Sequence, residues 1–205
     1  MKMNGHKMTE ELKAKGVLLE EKLTAMEKNR IEALYGFKFP NSLKAFYREG
    51  IPYSEGEGEI FPRWHDFSEE NVEKIKARMT APLNWLKRDI ENGFWIEKWG
   101  ARPEDKEELS GRIEEILALS PVLIPIYSHR YMPAISEIDA PIISTVGRDT
   151  ICYGKNLEDY LRHEFLGESS SAGAMEIPLW SDIIEWGECE FAKFEEARKE
   201  FEGKK

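Results

Sequence analysis

Apolar residues recur at three- and four-residue spacing along most of this chain, the pattern of helices with one buried face. The clear exception is residues 121–165, PVLIPIYSHRYMPAISEIDAPIISTVGRDTICYGKNLEDYLRHEF. Residues 122–127 form a β-rich run, and Pro125 inside it marks an edge strand or a local break in pairing, because proline cannot donate to a ladder. Ser128 and His129 turn the chain so that residues 130–132 pair back, and residues 133–140 form a loop. Residues 142–146 and 150–153 are two further β-rich runs, separated by Gly147, Arg148 and Asp149, a hairpin signal. A small antiparallel sheet over residues 122–153 is the natural place for the surrounding helices to bury their apolar faces.

Residues 1–8 read as a disordered leader. Thr9 then caps a helix with Glu10 and Glu11 in its first turn. Leu12, Leu19, Leu23, Met26 and Leu34 lie near one face of it; Gly16 bends or splits it, and Gly36 ends it. In residues 39–50, FPNSLKAFYREG, Pro40 suits a first helical turn, and Leu43, Phe46 and Tyr47 share a face. Residues 53–60 form an exposed acidic turn. Ser68 caps the periodic run of Val72, Ile75, Met79, Leu83, Leu86 and Ile90, which Pro82 divides into two helices meeting at a kink. Another helix, over about residues 103–119, buries Leu109, Ile113, Ile116 and Leu117.

Beyond the sheet, Asn156 and Asp159 resemble a capping box before LEDYLRHEF, whose inner face is Leu157, Tyr160, Leu161 and Phe165. Residues 168–175, ESSSAGAM, read as a mobile loop. Residues 178–201 form a last helical region, breakable at Gly187. Trp180, Ile183, Ile184, Phe191, Phe194 and Phe201 are expected to pack it back onto the body. The order of helices, small mostly antiparallel sheet and helices predicts an α+β fold, with residues 9–205 as a single domain.

Composition narrows the function classes. With six Trp, seven Tyr and ten Phe among 205 residues, the chain has ample apolar bulk for a core. A net charge of −10 argues against sequence-independent binding to nucleic acid or anionic membranes, which requires clustered Lys and Arg. It suits a basic protein partner, although solubility alone accounts for it. Cys152 and Cys189 form no CxxC pair and read as reduced, buried thiols of a cytoplasmic protein. The start, MKMNGHKMTEEL, lacks the apolar run of a signal peptide, and no window approaches the ~20 apolar residues of a membrane span.

Few residues suggest chemistry. Gly56 and Gly58 lack the lysine and the strand-to-helix context of a phosphate loop. His163 and Glu164 begin like HExxH, but the run continues HEFLG without a second histidine. Metal ligands would have to come from His65, Asp66, His129, His163 and Glu164, so no metal or other cofactor is expected. There is no G-x-S-x-G, and no catalytic residue is assigned. The candidate binding residues are His129, Arg130 and Tyr131, which combine a titratable ring, a bidentate donor and an aromatic at a strand turn. Trp64, Trp95 and Trp99 join them, and would line a groove if exposed together. The competing reading makes Arg130 a tie between loops and the tryptophans core.

Three stretches together resemble the SUKH superfamily, which contains bacterial toxin-immunity proteins and a yeast cell-wall-synthesis regulator. FPNSLKAFYREG resembles its opening signature, with Phe39 where Leu is usual and Glu49 where Asn is usual. GFWIEKWGARP, residues 93–103, is similar to a branch carrying Phe-Trp, a further Trp-Gly and Arg-Pro. LIPIYSHRYMP followed by PIISTVGRDTICYGKNLEDYLRHEF resembles that branch's strand, His-Arg-Tyr, hairpin and aromatic helix, and IPLWSD at residues 177–182 is also similar. The likeness spans residues 39–182. It implies an α+β domain that binds a protein, often a toxin, and it carries over no catalytic residue.

The first expectation is therefore a non-enzymatic cytoplasmic protein-binding domain, an immunity protein whose acidic surface masks a basic toxin domain. The second is an enzyme or small-ligand binder with a pocket around His129, Arg130 and Tyr131. The third is a regulatory scaffold.

Overall fold

Successive side chains on a strand point to opposite faces, and four short strands here feed two different cores. A computed structural model describes residues 3–55, 60–135, 139–170 and 175–202. Within these residues the strands β3 (Leu123–Tyr127), β4 (Arg130–Pro133), β5 (Ile142–Val146) and β6 (Asp149–Gly154) form an antiparallel sheet in that order. Pro125 thus lies on an edge strand, where its missing N–H is tolerated. Ile124, Ile126, Met132 and Ile142 enter one core, and Leu123, Tyr131 and Ile143 the other.

The first core is closed by α1 (Gly5–Ala14), α2 (Ala25–Tyr35), α3 (Asn41–Tyr47) and α6 (Leu157–Leu161). The second is closed by α5 (Lys106–Leu117) and the start of α7 (Trp180–Glu202). Helix α4 (Glu69–Glu91) serves both, with Ile75 in one and Leu86 and Ile90 in the other. The architecture is α+β, as predicted, in a single domain.

Several expectations are corrected. Helix α1 begins at Gly5 rather than after a leader, because the Asn4 side chain accepts from the Lys7 N–H and Met8 is buried. The helical run through Leu34 is interrupted: Gly16, at φ +86°, ends α1, and β1 (Leu18–Glu20) pairs antiparallel with β2 (Ile51–Tyr53). The interruption turns Met26 and Leu34 outward while Leu12 and Leu23 stay buried. Helix α4 runs unbroken through Pro82. Proline removes the donor for the carbonyl four residues back, Arg78, and the Tyr131 hydroxyl donates to that oxygen instead, at 3.2 Å. A side chain from the sheet thus replaces the missing helical hydrogen bond. Helix α7 likewise continues through Gly187.

The β5–β6 turn requires its glycine. Gly147 has φ +63°, and a side chain there would strike Asp89, whose carboxylate accepts from the Arg148 N–H at 2.7 Å. Parts of three expected turns or loops, at 56–59, 136–138 and 171–174, lie outside the described residues. Of the last loop, Glu168 and Ser170 are tied back: Arg162 donates to Glu168 at 3.0 Å, and the Ser170 hydroxyl donates to Asp159 at 2.6 Å.

Candidate functional site

The turn that carries His129 and Arg130 is clamped from α4. Arg78 donates to the carbonyls of Ile60 and Ser128, both at 2.7 Å, and the Ser128 N–H donates to the Ile60 carbonyl at 2.8 Å. Arg130 leaves this turn along the first-core face of the sheet. Its guanidinium lies 4.0 Å over the Tyr153 ring, and its Nε stands 3.5 Å from Glu164 Oε2. Glu164 is placed by a π-helical turn, Arg162–Leu166, that follows α6. The two side chains are 12% and 19% exposed, so each charge depends on the other.

Arg130 also contacts its neighbour. It donates through Nη1 to Ser144 Oγ at 3.2 Å and to His129 Nε2. The other ring nitrogen, Nδ1, stands 3.1 Å from Ser128 Oγ. Burial, and next the Arg130 charge, push the His129 pKa down and keep the ring neutral.

The other expected members do not converge here. Tyr131 points to the opposite side of the sheet, buried in the second core. Trp64 is buried in the first core, edge-on to Tyr35, Phe37 and Phe39, with its indole N–H donating to the Tyr47 hydroxyl at 3.3 Å. Trp99 is buried in the second core, edge-on to Phe94 and to the half-buried Trp95. The Trp95 indole donates to the Gly100 carbonyl at 2.8 Å. The shared groove of three tryptophans is therefore corrected: the sheet separates Trp64 from the other two, and all three are packing residues. Among the described residues, no three His, Cys, Asp or Glu side chains come together as metal ligands, and no helix is long and apolar enough to cross a membrane.

A different surface stands out. Helix α7 is anchored at its start, where the Trp180 indole donates to Ser120 Oγ at 2.8 Å and Lys98 reaches Asp182 and Glu185 at 3.2 and 2.6 Å. Its 23 residues span roughly 34 Å, whereas the 6 residues of β6, beside which it lies, span only about 20 Å. The second half therefore overhangs. Phe191 and Phe194, expected to pack inward, are 66% and 64% exposed, and Ile151 on β6 is 49% exposed. Between β6 and α7 lies an open depression of about 440 Å³, lined by Ile151, Ile184, Trp186 and Phe191 on its apolar side. Glu188 and Glu190 from α7, and Arg148 and Asp149 from the hairpin, edge it. Cys189, expected to be buried, is exposed on this half of α7, and Cys152 on β6 is only half-buried. The expected packing of Phe201 lies outside the described side chains.

Sequence reasoning missed Phe191, Phe194 and Ile151 as surface residues. The usable signal was length, since the last apolar stripe is longer than the sheet available to receive it. A comparison with family models, curated proteins and solved structures finds no match for this chain.

Proposed function

We propose that this chain is a non-enzymatic protein-binding domain of the SUKH type, acting in the cytoplasm as an immunity protein that neutralises a toxin. The carrying observation is the pair Phe191 and Phe194, held in solvent beside Ile151 by a helix of net negative charge. Residues 185–202 hold seven glutamates against three basic residues, Lys193, Arg198 and Lys199. Large aromatics exposed together in a charged rim are the composition of a binding hot spot, and an acidic rim selects a basic partner. Each phenyl ring removed from water contributes up to about 3 kcal/mol, taking roughly 130 Å² at about 25 cal/mol/Å². The resemblance of residues 39–182 to the SUKH superfamily supports the biological role. The packing of Arg130 against Ser144, Tyr153 and Glu164, and the separation of Tyr131 and the tryptophans from it, weigh against a shared small-ligand or catalytic pocket.

Co-expression with a toxin domain encoded by a neighbouring gene tests the reading. The expected result is restored growth and a complex that purifies as one species. Growth arrest undiminished by the chain, with no complex, would overturn it.

A further inference from the structure

Resting on the protein-binding reading, we propose that the partner's contact segment is a basic amphipathic helix seated along the overhanging half of α7, in the depression against β6. Ile184, Gly187, Phe191 and Phe194 recur at three- and four-residue spacing, so they form one stripe along α7. Ile184 and Phe191 line the depression, and Phe194 continues the stripe past its end. Gly187 lies between them, and a Cβ built on it meets nothing within 4 Å. The stripe thus has a notch in its middle, flanked by apolar walls. Such a surface lets a second helix approach closely while its large side chains seat on either side. A glycine in an exposed helix interior costs roughly 1 kcal/mol of helix stability relative to alanine, so the notch has no benefit to the helix itself.

Charge specifies the occupant. Glu188 and Glu190 flank the notch, and Glu195 flanks the stripe beyond Phe194; Glu190 and Glu195 also pair along the helix surface with Lys193 at 2.7 Å and Arg198 at 3.1 Å, exposed pairs that a partner's cations can replace, and the helix keeps its net negative charge. A partner helix presenting Lys or Arg beside its apolar face places opposite charges along both sides. A second copy of this chain does not fit. With Phe191 stacked on Phe194 of an antiparallel copy, the spacing sets Glu188 against Glu195, and a parallel pairing sets Glu190 against Glu195. An anionic membrane surface is disfavoured by the same carboxylates.

The test is selection from a phage-displayed library of peptides about five helical turns long on the full chain, counter-selected on the F191D/F194D variant. Binding of the enriched peptides is then measured by fluorescence anisotropy. The expected peptides carry apolar residues at i, i+3 and i+4 with flanking Lys or Arg. Their affinity falls about 30-fold or more in F191D/F194D and about tenfold in E188K/E190K and in Gly187→Leu. The leucine fills the notch with a better helix former, so its effect on binding does not come from unfolding. Several results would overturn the inference: no enrichment, neutral or acidic consensus peptides, peptides that bind F191D/F194D equally, or a dimer in light scattering that this variant abolishes. Toxin neutralisation reads the protein-binding function wherever the contact lies. Rescue that survives F191D/F194D therefore removes this surface and leaves the function standing, whereas loss of all rescue by the wild-type chain removes the function.

Discussion

Removing one hydroxyl group should reveal how α4 passes through Pro82. In Tyr131→Phe the Arg78 carbonyl loses its donor, while the ring keeps its place in the second core. A buried acceptor left without a partner costs about 1–3 kcal/mol. Taking about 2 kcal/mol, and a urea dependence of about 2 kcal/mol per molar, the unfolding midpoint falls by roughly 1 M. The same substitution behaves differently beside Pro82→Ala. Alanine restores an N–H four residues after Arg78, and the helix satisfies its own carbonyl. In that background Tyr131→Phe should cost less than about 1 kcal/mol, so the double-mutant cycle has a coupling of about 1 kcal/mol or more. Urea unfolding of the four proteins, followed by circular dichroism and by tryptophan fluorescence, measures every corner. Equal costs in the two backgrounds would refute the claim that a sheet side chain stands in for the missing helical bond.

Other predictions follow from the same contacts. Arg130→Met leaves Glu164 buried without its cation and should destabilise the fold by about 3 kcal/mol, whereas R130M/E164L should return to within about 1 kcal/mol of wild type; urea midpoints decide. Burial disfavours the charge on His65, but the Glu21 carbonyl at 2.8 Å and the Glu27 carboxylate at 3.0 Å outweigh it and hold the pKa above its usual value. The stability this supplies is complete below the unfolded pKa of about 6.5 and is lost as pH rises through the higher folded value. His65→Gln should therefore flatten the decline in urea midpoint on raising the pH from 6 to 8.5. F191D/F194D should cost no more than about 1 kcal/mol of unfolding free energy, since about two thirds of each residue already stands in water.

Much of the fold was legible because its signals are local. The four sheet strands and the turn at Ser128 follow from alternation and turn residues, and proline's missing donor limits Pro125 to an edge strand or a break in pairing; the structure has it on the edge, with a register shift after it. What was not legible depends on partners distant in sequence. Pro82 predicts a kink on local grounds, and only Tyr131, about fifty residues later, cancels it. Strands β1 and β2 have three residues each, too few for a period to register, and β2 contains Pro52. Residues 1–8 read as a leader because the turn that Asn4 caps is held only by Met8 reaching the first core. At the candidate site, the sequence marks His129 and Arg130 as polar and strand-terminal without revealing Glu164, Tyr153 and Ser144 as their partners. Periodicity marks the tryptophans as apolar without telling which side of the sheet each will take. Phe191 and Phe194 show the same limit from the other direction, since an apolar stripe does not state whether a surface waits beneath it.

The most direct measurement compares two variants in the toxin co-expression assay, with complex formation followed by calorimetry. The account predicts that R130M/E164L keeps wild-type neutralisation and affinity, because the His129–Arg130 cluster is internal bracing. It predicts that F191D/F194D, equally folded, binds at least 30-fold more weakly and fails to protect. The reverse outcome, protection lost with Arg130 and untouched by the two phenylalanines, would contradict it.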